Sequence, residues 1–435
     1  MEMYDIILKK RLGQALSPEE IRFFVQGYTE GGIPDYQASA LLMAIMFQGL
    51  DMDETLCLTE AMRDSGDKVD LSAIRGIKVD KHSTGGVGDK TTLILGPLVA
   101  ACGVPVAKMS GRGLGFTGGT VDKMESVPGM RTTMEPEDLI RQVNDVGLAV
   151  IGQTAHIAPA DKKLYALRDV TATIDNLSLI SASIMSKKLA AGADAILLDV
   201  KCGSGAFMKT EEQAAALGEM MVLIGKKAGK RTVAAITDMS QPLGLAVGNS
   251  LEVVESIETL KGNGPGDVTE LTLELAGIMI YLGERAKTPE EGRAMALEAM
   301  KSGRALDKFR EFIEAQGGNP DVAQDYGLFP QPAHRLEVAA PKAGFVSSIE
   351  ANAVGQASRH TGAGRNVIGE ALDLSAGILL HKKVGDPVQA GEPLATVQGN
   401  NPDKLREAAG MCLSAYEISE AREEPGRLIH RIIGI

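Results

Sequence analysis

Hydrophobic positions fall into two patterns along the chain. Up to about residue 65 they recur every three or four residues, the spacing of one helix face. Met3–Leu12 is amphipathic, and Ser17-Pro18-Glu19-Glu20 is a capping box opening a helix through Tyr28. A third helix over Asp35–Gln48 follows the Gly31-Gly32 break, and Asp53 is expected to cap a fourth, running to about Ser65. From about Ile74 short apolar runs alternate with helical segments. Strands are expected at Ile77–Asp80, Val104–Met109, Leu148–Gln153, Ala195–Lys201 and Thr232–Met239. Helices are expected at Thr91–Cys102, from Glu135 to near Gly147, and at Glu211–Ala228. Alternation of this kind implies parallel strands joined by crossover helices, with ligands at the carboxyl ends of the strands.

Pro159–Thr171 and Ser178–Ala191 are helical without an intervening strand, so they group with the N-terminal helices. Further helices fill the stretch from about Asn249 to Gly317, and a Pro/Gly-rich connector over Gly317–Pro341 leads to a C-terminal module. The reading is an α/β protein in three parts. A small, discontinuous all-α domain takes residues 1–70 and 159–193. A large α/β domain with a mixed sheet takes 71–158 and 194–330, and an α+β barrel-sandwich-like module takes 331–435. Within that module GILLHKKVGDPVQAGEPLATV has the spacing of lipoyl- and biotin-carrier sandwiches. Its lysines, Lys382 and Lys383, lie on the approach to the Gly-Asp turn and not at a hairpin tip, so a structural module is expected, not a carrier.

The bulk numbers narrow the function classes. The chain has 435 residues, 44% of them hydrophobic, as in an ordinary globular protein with two or three domains. Its net charge of −12 argues against a nucleic-acid partner. Cys57, Cys102, Cys202 and Cys412 are widely spaced with no CxxC pair, so neither a zinc site nor a disulfide framework is signalled. No run of 18 apolar residues occurs and the first residues do not form a signal peptide, so a cytoplasmic location without a membrane partner is expected.

The candidate chemistry sits in two loops, each following an expected strand: KHSTGGVGDKTT (Lys81–Thr92) and KMSGRGLGFTGGTVDKME (Lys108–Glu125). Glycines let backbone N–H groups approach an anion. Ser83, Thr84, Thr91, Thr92, Ser110, Thr117 and Thr120 add hydroxyls, while Lys81, His82, Lys108 and Arg112 add charge. In an acidic protein such local clustering of cations is informative. Neither loop has a nucleotide-binding signature, so the residues point to a phosphate site of another kind. Downstream, Arg168 lies in YALRDVTATID, and Ser183 and Lys187 are four residues apart on one helix face. No glycosidase-like carboxylate pair or serine nucleophile elbow is present; Ser204 has glycine neighbours only. The residues alone imply a two-domain anion-binding enzyme with a cleft.

At these residues the chain resembles the pyrimidine-nucleoside and thymidine phosphorylase family. KHSTGGVGDK, SGRGLGFTGGTVDKMES (Ser110–Ser126), YALRDVTATI, SIMSKKLAAGADAILLDVKCGSGAFMK and LGLAVGNSLEVVES carry the resemblance over most of the chain. It implies a pentosyltransferase: a homodimer whose helical and α/β domains close on phosphate and a pyrimidine nucleoside to give free base and α-pentose 1-phosphate. It assigns phosphate binding to Lys81, Ser83, Thr92, Ser110 and Thr120, with Lys108 and Met109 at the edge. It assigns the pyrimidine, and catalysis, to His82, Arg168 and Lys187, with Ser183 as a further contact. No organic cofactor is implied.

Two departures stand out. Phe116 replaces a histidine common in the family, trading a hydrogen bond beside the base for an apolar face. Lys90 replaces a threonine found in members where the neighbourhood of Gly88, Leu243, Ala246 and Glu255 holds potassium; its ammonium is expected to take over the ion's charge by pairing with Glu255. Lys108, where thymidine-selective members commonly have an apolar residue, is expected to accept a ribose 2′-hydroxyl. A broad enzyme acting on uridine, thymidine and deoxyuridine is therefore expected. The alternatives are a thymidine-selective phosphorylase and an anthranilate phosphoribosyltransferase-like enzyme.

Overall fold

The computed structural model describes residues 1–113, 118–154, 156–365 and 370–435. Its first four helices are Met3–Arg11, Pro18–Thr29, Asp35–Gln48 and Met52–Arg63, and at the second and fourth a side chain satisfies free N–H groups at the start. The Ser17 hydroxyl accepts the Glu20 amide at 3.3 Å, and the Glu20 carboxylate accepts the Ser17 amide at 2.6 Å. At the fourth helix the cap is Asp51, not Asp53. Asp51 accepts the Glu54 amide at 2.8 Å and Glu54 returns the contact at 2.9 Å, because only Asp51 has a glutamate three residues ahead. Asp53 instead lies in the first turn, where its charge suits the helix dipole.

These helices share one core with two later ones. Phe24, Leu41, Leu42 and Leu58 pack with Ala160 and Leu164 of helix Pro159–Val170 and with Leu179 and Ala182 of helix Leu177–Ala190. The second of these serves two cores. One turn beyond Ala182, Met185 and Leu189 pack into a cluster with Ile196, Leu198 and Ile236 of the sheet. One rigid helix thus joins the helical domain to the α/β domain.

The central strands are β1 (Val79–Ser83), β2 (Val106–Ser110), β3 (Leu148–Gly152), β4 (Ala195–Cys202) and β5 (Arg231–Asp238). β1 pairs parallel with β4, and β4 with β5. β2 and β3 form a parallel pair beside β1, joined to it by the Val79 amide on the Pro105 carbonyl at 3.3 Å. All of β4 is buried, as expected of a parallel strand covered on both faces. The strand Ile429–Ile433 runs antiparallel on β5, which makes the sheet mixed.

That last pairing crosses the boundary expected near residue 330, and a second pairing crosses it the other way. Ala246–Gly248, from the α/β part, pairs with Gly377–Leu380 inside the C-terminal sheet. The expected connector is also more ordered than its prolines and glycines suggest. It contains two 3-10 turns, Pro320–Ala323 and Tyr326–Leu328, and its end, His334–Ala339, is a strand on Pro393–Gly399. The C-terminal module packs these strands and a second sheet around helices Ala351–Ser358 and Pro402–Ser414. Its two lysines are tied down: Lys382 on Glu392 at 2.5 Å, and Lys383 on Asp267 at 3.1 Å and the Gly244 carbonyl at 3.0 Å. Neither is presented as a carrier lysine.

The free edge of β3 is covered by Gln142 on the Leu148 carbonyl at 2.9 Å, by the Thr132 carbonyl on the Gly152 amide at 2.7 Å, and at its centre by Gln316. The buried Gln316 amide accepts the Val150 N–H at 3.0 Å and donates to the Val150 carbonyl at 3.0 Å and the Arg131 carbonyl at 2.6 Å. An apolar replacement would leave those backbone groups buried and unpaired. Gln316→Leu should lower unfolding stability by about 2–4 kcal/mol, read from the urea midpoint. An unchanged midpoint would show that water pairs this edge as well as the amide does.

Candidate active site

The loops after β1 and β2 open into a cleft of about 400 Å³, a usual size for a small-molecule site. One wall comes from these loops. The other comes from helices Pro159–Val170 and Leu177–Ala190, which contribute Tyr165, Arg168, Ser183 and Lys187. The cleft therefore lies between the two cores that the shared helix connects.

Beneath the loop wall is a buried charge network. The Lys81 ammonium donates to the Thr91 hydroxyl at 2.6 Å and is ion-paired with Asp199 at 3.0 Å and Asp89 at 3.9 Å. Asp199 also pairs with Lys201 at 2.9 Å and accepts the Thr237 hydroxyl at 2.6 Å. Burial would push the Lys81 ammonium down, but Asp199 and Asp89 outweigh it and hold it above the usual lysine range. Asp89 is likewise opposed by burial, yet Lys81, Lys201 and Lys123 keep it well below the usual carboxylate range. As an ionised acceptor it receives hydrogen bonds from the hydroxyls of Ser83 and, at 2.6 Å, of Thr91.

A second group sits beside it. Asp80, buried in β1, accepts Lys188 at 2.7 Å and Lys108 at 3.5 Å. Lys108 also donates to the Lys81 carbonyl. Burial pulls the Lys108 ammonium down to about 8, with Asp80 opposing and Lys188 and Lys81 adding to the fall. His82 is held well below its usual value by burial and by Lys188, Lys108, Lys187 and Lys81, so its imidazole is neutral at pH 7. It can hydrogen-bond a ligand without adding charge.

On the helical wall, the Lys187 ammonium rests on Asp161 and on the Ser183 hydroxyl at 3.1 Å, an i, i+4 contact. Arg168 is buried with three of its five N–H groups on the carbonyls of Thr173, Leu179 and Ile174 at 3.0, 3.1 and 2.7 Å. Two donors remain for a ligand.

Most of the residues assigned to phosphate or pyrimidine line this one cleft: Ser83, Thr92, Lys108, Met109, Ser110 and Thr120 on the loop side, Arg168, Ser183 and Lys187 opposite, with His82 near the end of β1. The hydroxyls of Thr92, Ser110 and Thr120 have no hydrogen-bond partner among the described residues. Lys81 is the exception, lying below the cleft floor on its carboxylates. Arg112 is turned to Glu125, with two contacts of 2.7 Å, and to Asp122 at 3.0 Å, so it braces its own loop. Gly88, Leu243, Ala246 and Glu255 gather away from the cleft, around Lys90. Phe116 and Thr117 lie outside the described residues.

Asp80, Asp89, Asp161, Lys188, Asp199 and Lys201 were not singled out as site residues by sequence reasoning. A signal was present in two of the strands: a charged residue inside an apolar run, as in IKVDK and AILLDVK, must be paired if the run is buried.

Comparison with known proteins agrees over the whole chain. The glycosyl transferase family helical bundle domain matches residues 4–66, the glycosyl transferase family a/b domain matches 75–306, and the pyrimidine nucleoside phosphorylase C-terminal domain matches 345–419. The pyrimidine-nucleoside phosphorylase of Bacillus subtilis is 54% identical over 433 residues, covering 100% of both chains. That of Geobacillus stearothermophilus is 58% identical over 400 residues, covering 92% of each. Among solved structures, the anthranilate phosphoribosyltransferase of Thermus thermophilus aligns with a TM-score of 0.58 at 20% identity, over 72% of this chain and 99% of that one. This last likeness is one of fold alone.

The depressed Lys108 gives a pH test. Its proton leaves at lower pH in the folded chain than in the unfolded one, so between about 8 and 10.5 the unfolded chain binds more protons. This lysine therefore disfavours folding below about pH 8, and that effect fades as pH rises to 10.5. If its ammonium serves the ligand, kcat/KM should fall on an alkaline limb near pH 8, and Lys108→Met should abolish that limb. The same limb in both proteins would assign it to another group.

Proposed function

Because the chain belongs to the pyrimidine-nucleoside phosphorylase family, we propose that it is a pentosyltransferase cleaving pyrimidine nucleosides with phosphate to free base and α-pentose 1-phosphate. The observation that carries the reading is the composition of the cleft. Lys108 and three hydroxyls without a partner among the described residues line one wall, and the free donors of Arg168 lie with Ser183 and Lys187 on the other.

The chemistry follows from where charge develops. Cleaving the bond from sugar to base puts negative charge on the departing pyrimidine and positive charge on the sugar. Arg168 and Lys187, with neutral His82, donate to the pyrimidine oxygens and stabilise the anion. Phosphate, held by Ser83, Thr92, Ser110 and Thr120 with Lys81 beneath, attacks the sugar from the opposite face. Its charge also stabilises the oxocarbenium-like centre, so no protein nucleophile is required. Taking the Ser83 hydroxyl from Asp89 is part of binding phosphate. Closure of the two domains brings the substrates into line and keeps water out.

Several finer points belong to the same proposal. Lys108, at the cleft edge, donates to a ribose 2′-hydroxyl, which makes uridine a substrate alongside thymidine and deoxyuridine. The chain pairs with a second copy through the helical domain, where Tyr4, Tyr36, Met43 and Phe47 are exposed on the packed first and third helices. It works in the cytoplasm; among the described residues no helix is long and apolar enough to cross a membrane.

The test is release of free base from uridine, thymidine and deoxyuridine, with and without phosphate. Phosphate-dependent cleavage of all three at comparable rates is expected. Cleavage of the deoxynucleosides alone would make the enzyme thymidine-selective and remove the role given to Lys108; no phosphate-dependent cleavage would overturn the reading. Lys187→Met should lower kcat about 10²–10³-fold, or about 3–4 kcal/mol, as expected for one lost donor to a developing anion.

A further inference from the structure

Away from the cleft, a buried ammonium occupies the centre of an oxygen cage. Lys90 is fully buried and follows directly on Asp89 in the first glycine loop. Its Nζ donates to the carbonyls of Leu243 and Ala246, both at 2.9 Å, and to Oε2 of Glu255. The other oxygen of Glu255 accepts the amides of Leu245 at 2.9 Å and Ala246 at 3.1 Å. Gly88 closes the cage: its φ is +71°, and a Cβ there would stand 2.5 Å from the Leu243 carbonyl oxygen.

Two carbonyls and one carboxylate converging on a single positive charge make a donor set fit for a monovalent metal ion. The potassium that the family resemblance implies does not fit beside Lys90. An ion using these three oxygens would have to stand where the ammonium nitrogen stands, and the one carboxylate balances one positive charge only.

We infer that this chain carries its monovalent cation as a side chain: Lys90 permanently replaces potassium and makes stability and turnover independent of the metal. A tethered ammonium differs from a bound ion in one respect: it cannot dissociate. The segment Pro242–Ala246 is therefore fixed to the glycine loop in any buffer. The same segment is gripped from its other side by Lys383 of the C-terminal module, which donates to the carbonyls of Pro242 and, at 3.0 Å, Gly244 and pairs with Asp267 at 3.1 Å. Two lysines from distant parts of the chain thus hold one loop, and Lys90 links it to the stretch that carries Asp89, the acceptor of the Ser83 hydroxyl, and Thr92.

The experiment compares thermal midpoint and phosphorolysis rate in potassium, sodium and tetramethylammonium chlorides at equal ionic strength. The wild-type chain should give the same midpoint and rate in all three. Lys90→Thr empties the cage of its charge; its midpoint should fall and its rate drop at least about tenfold in sodium, and tens of millimolar potassium should restore both. A wild-type midpoint that rises in potassium over sodium would overturn the inference, as would a K90T protein as stable in sodium as the wild type. If K90T does not fold in sodium, refolding from urea gives the same readout: recovery specific to potassium supports the replacement, and equal failure in both salts overturns it. The midpoint needs no turnover, so the result stands apart from the assignment of substrate.

Discussion

A cation placed inside a protein core has to be matched by a carboxylate, and this constraint organises the α/β domain. Removing an ion from water costs several kcal/mol even after relaxation, so Lys81, Lys108, Lys188 and Lys201 could not be buried beside the cleft alone. Asp199 and Asp80 answer them, with Asp89 at the loop. The answer works only because of strand order. β4 lies next to β1 with Ser83 opposite Asp199, which brings the β4 carboxylate beneath the loop that leaves β1. Neither β2 nor the buried middle of β5 carries a carboxylate to put there. Sheet topology here is a means of delivering counter-charge.

The same network sets the character of the cleft. Burial, aided by four nearby lysines, keeps the His82 imidazole neutral, so the cleft gains a donor or acceptor without gaining charge. Positive charge is instead supplied by Lys108, whose carboxylate contact is long at 3.5 Å, and by Lys187, partly exposed on the facing helix beside Asp161. That helix, Leu177–Ala190, touches both cores within three turns. Ser183 and Lys187 therefore sit at the junction itself, facing the loops across the cleft.

Much of this was legible in the sequence, and the reasons differ by element. The helix start at Ser17 was readable because a proline follows the cap and a glutamate stands three residues on; Asp51 has the same spacing to Glu54 but was passed over for Asp53, a second aspartate in the same turn. The two glycine loops were legible because strand ends, glycines and hydroxyls coincide there. The buried partners were not. Asp80 and Asp199 look like strand residues, and only the pairing of β1 with β4 shows that each meets a lysine. Lys81 could be read as a cation of the site but not as one lying beneath its floor. The two strand pairings that cross the expected division near residue 330 were not legible for a related reason: Ala246–Gly248 and Ile429–Ile433 pair with strands far away in the chain, and local pattern carries no record of a distant partner.

Those two exchanged strands have a consequence for how the protein comes into being. The edge of β5 stays open until residues 429–433 exist, about 190 residues after β5 itself has been made. The N-terminal helices face a similar wait, since their core is completed only by Pro159–Val170 and Leu177–Ala190. During synthesis at roughly 5–20 residues per second, β5 spends on the order of ten seconds as an unpaired edge of mostly apolar residues. The architecture that knits the modules together thus leaves a template for wrong pairing during the chain's own birth, the interval in which a chaperone would have most to protect.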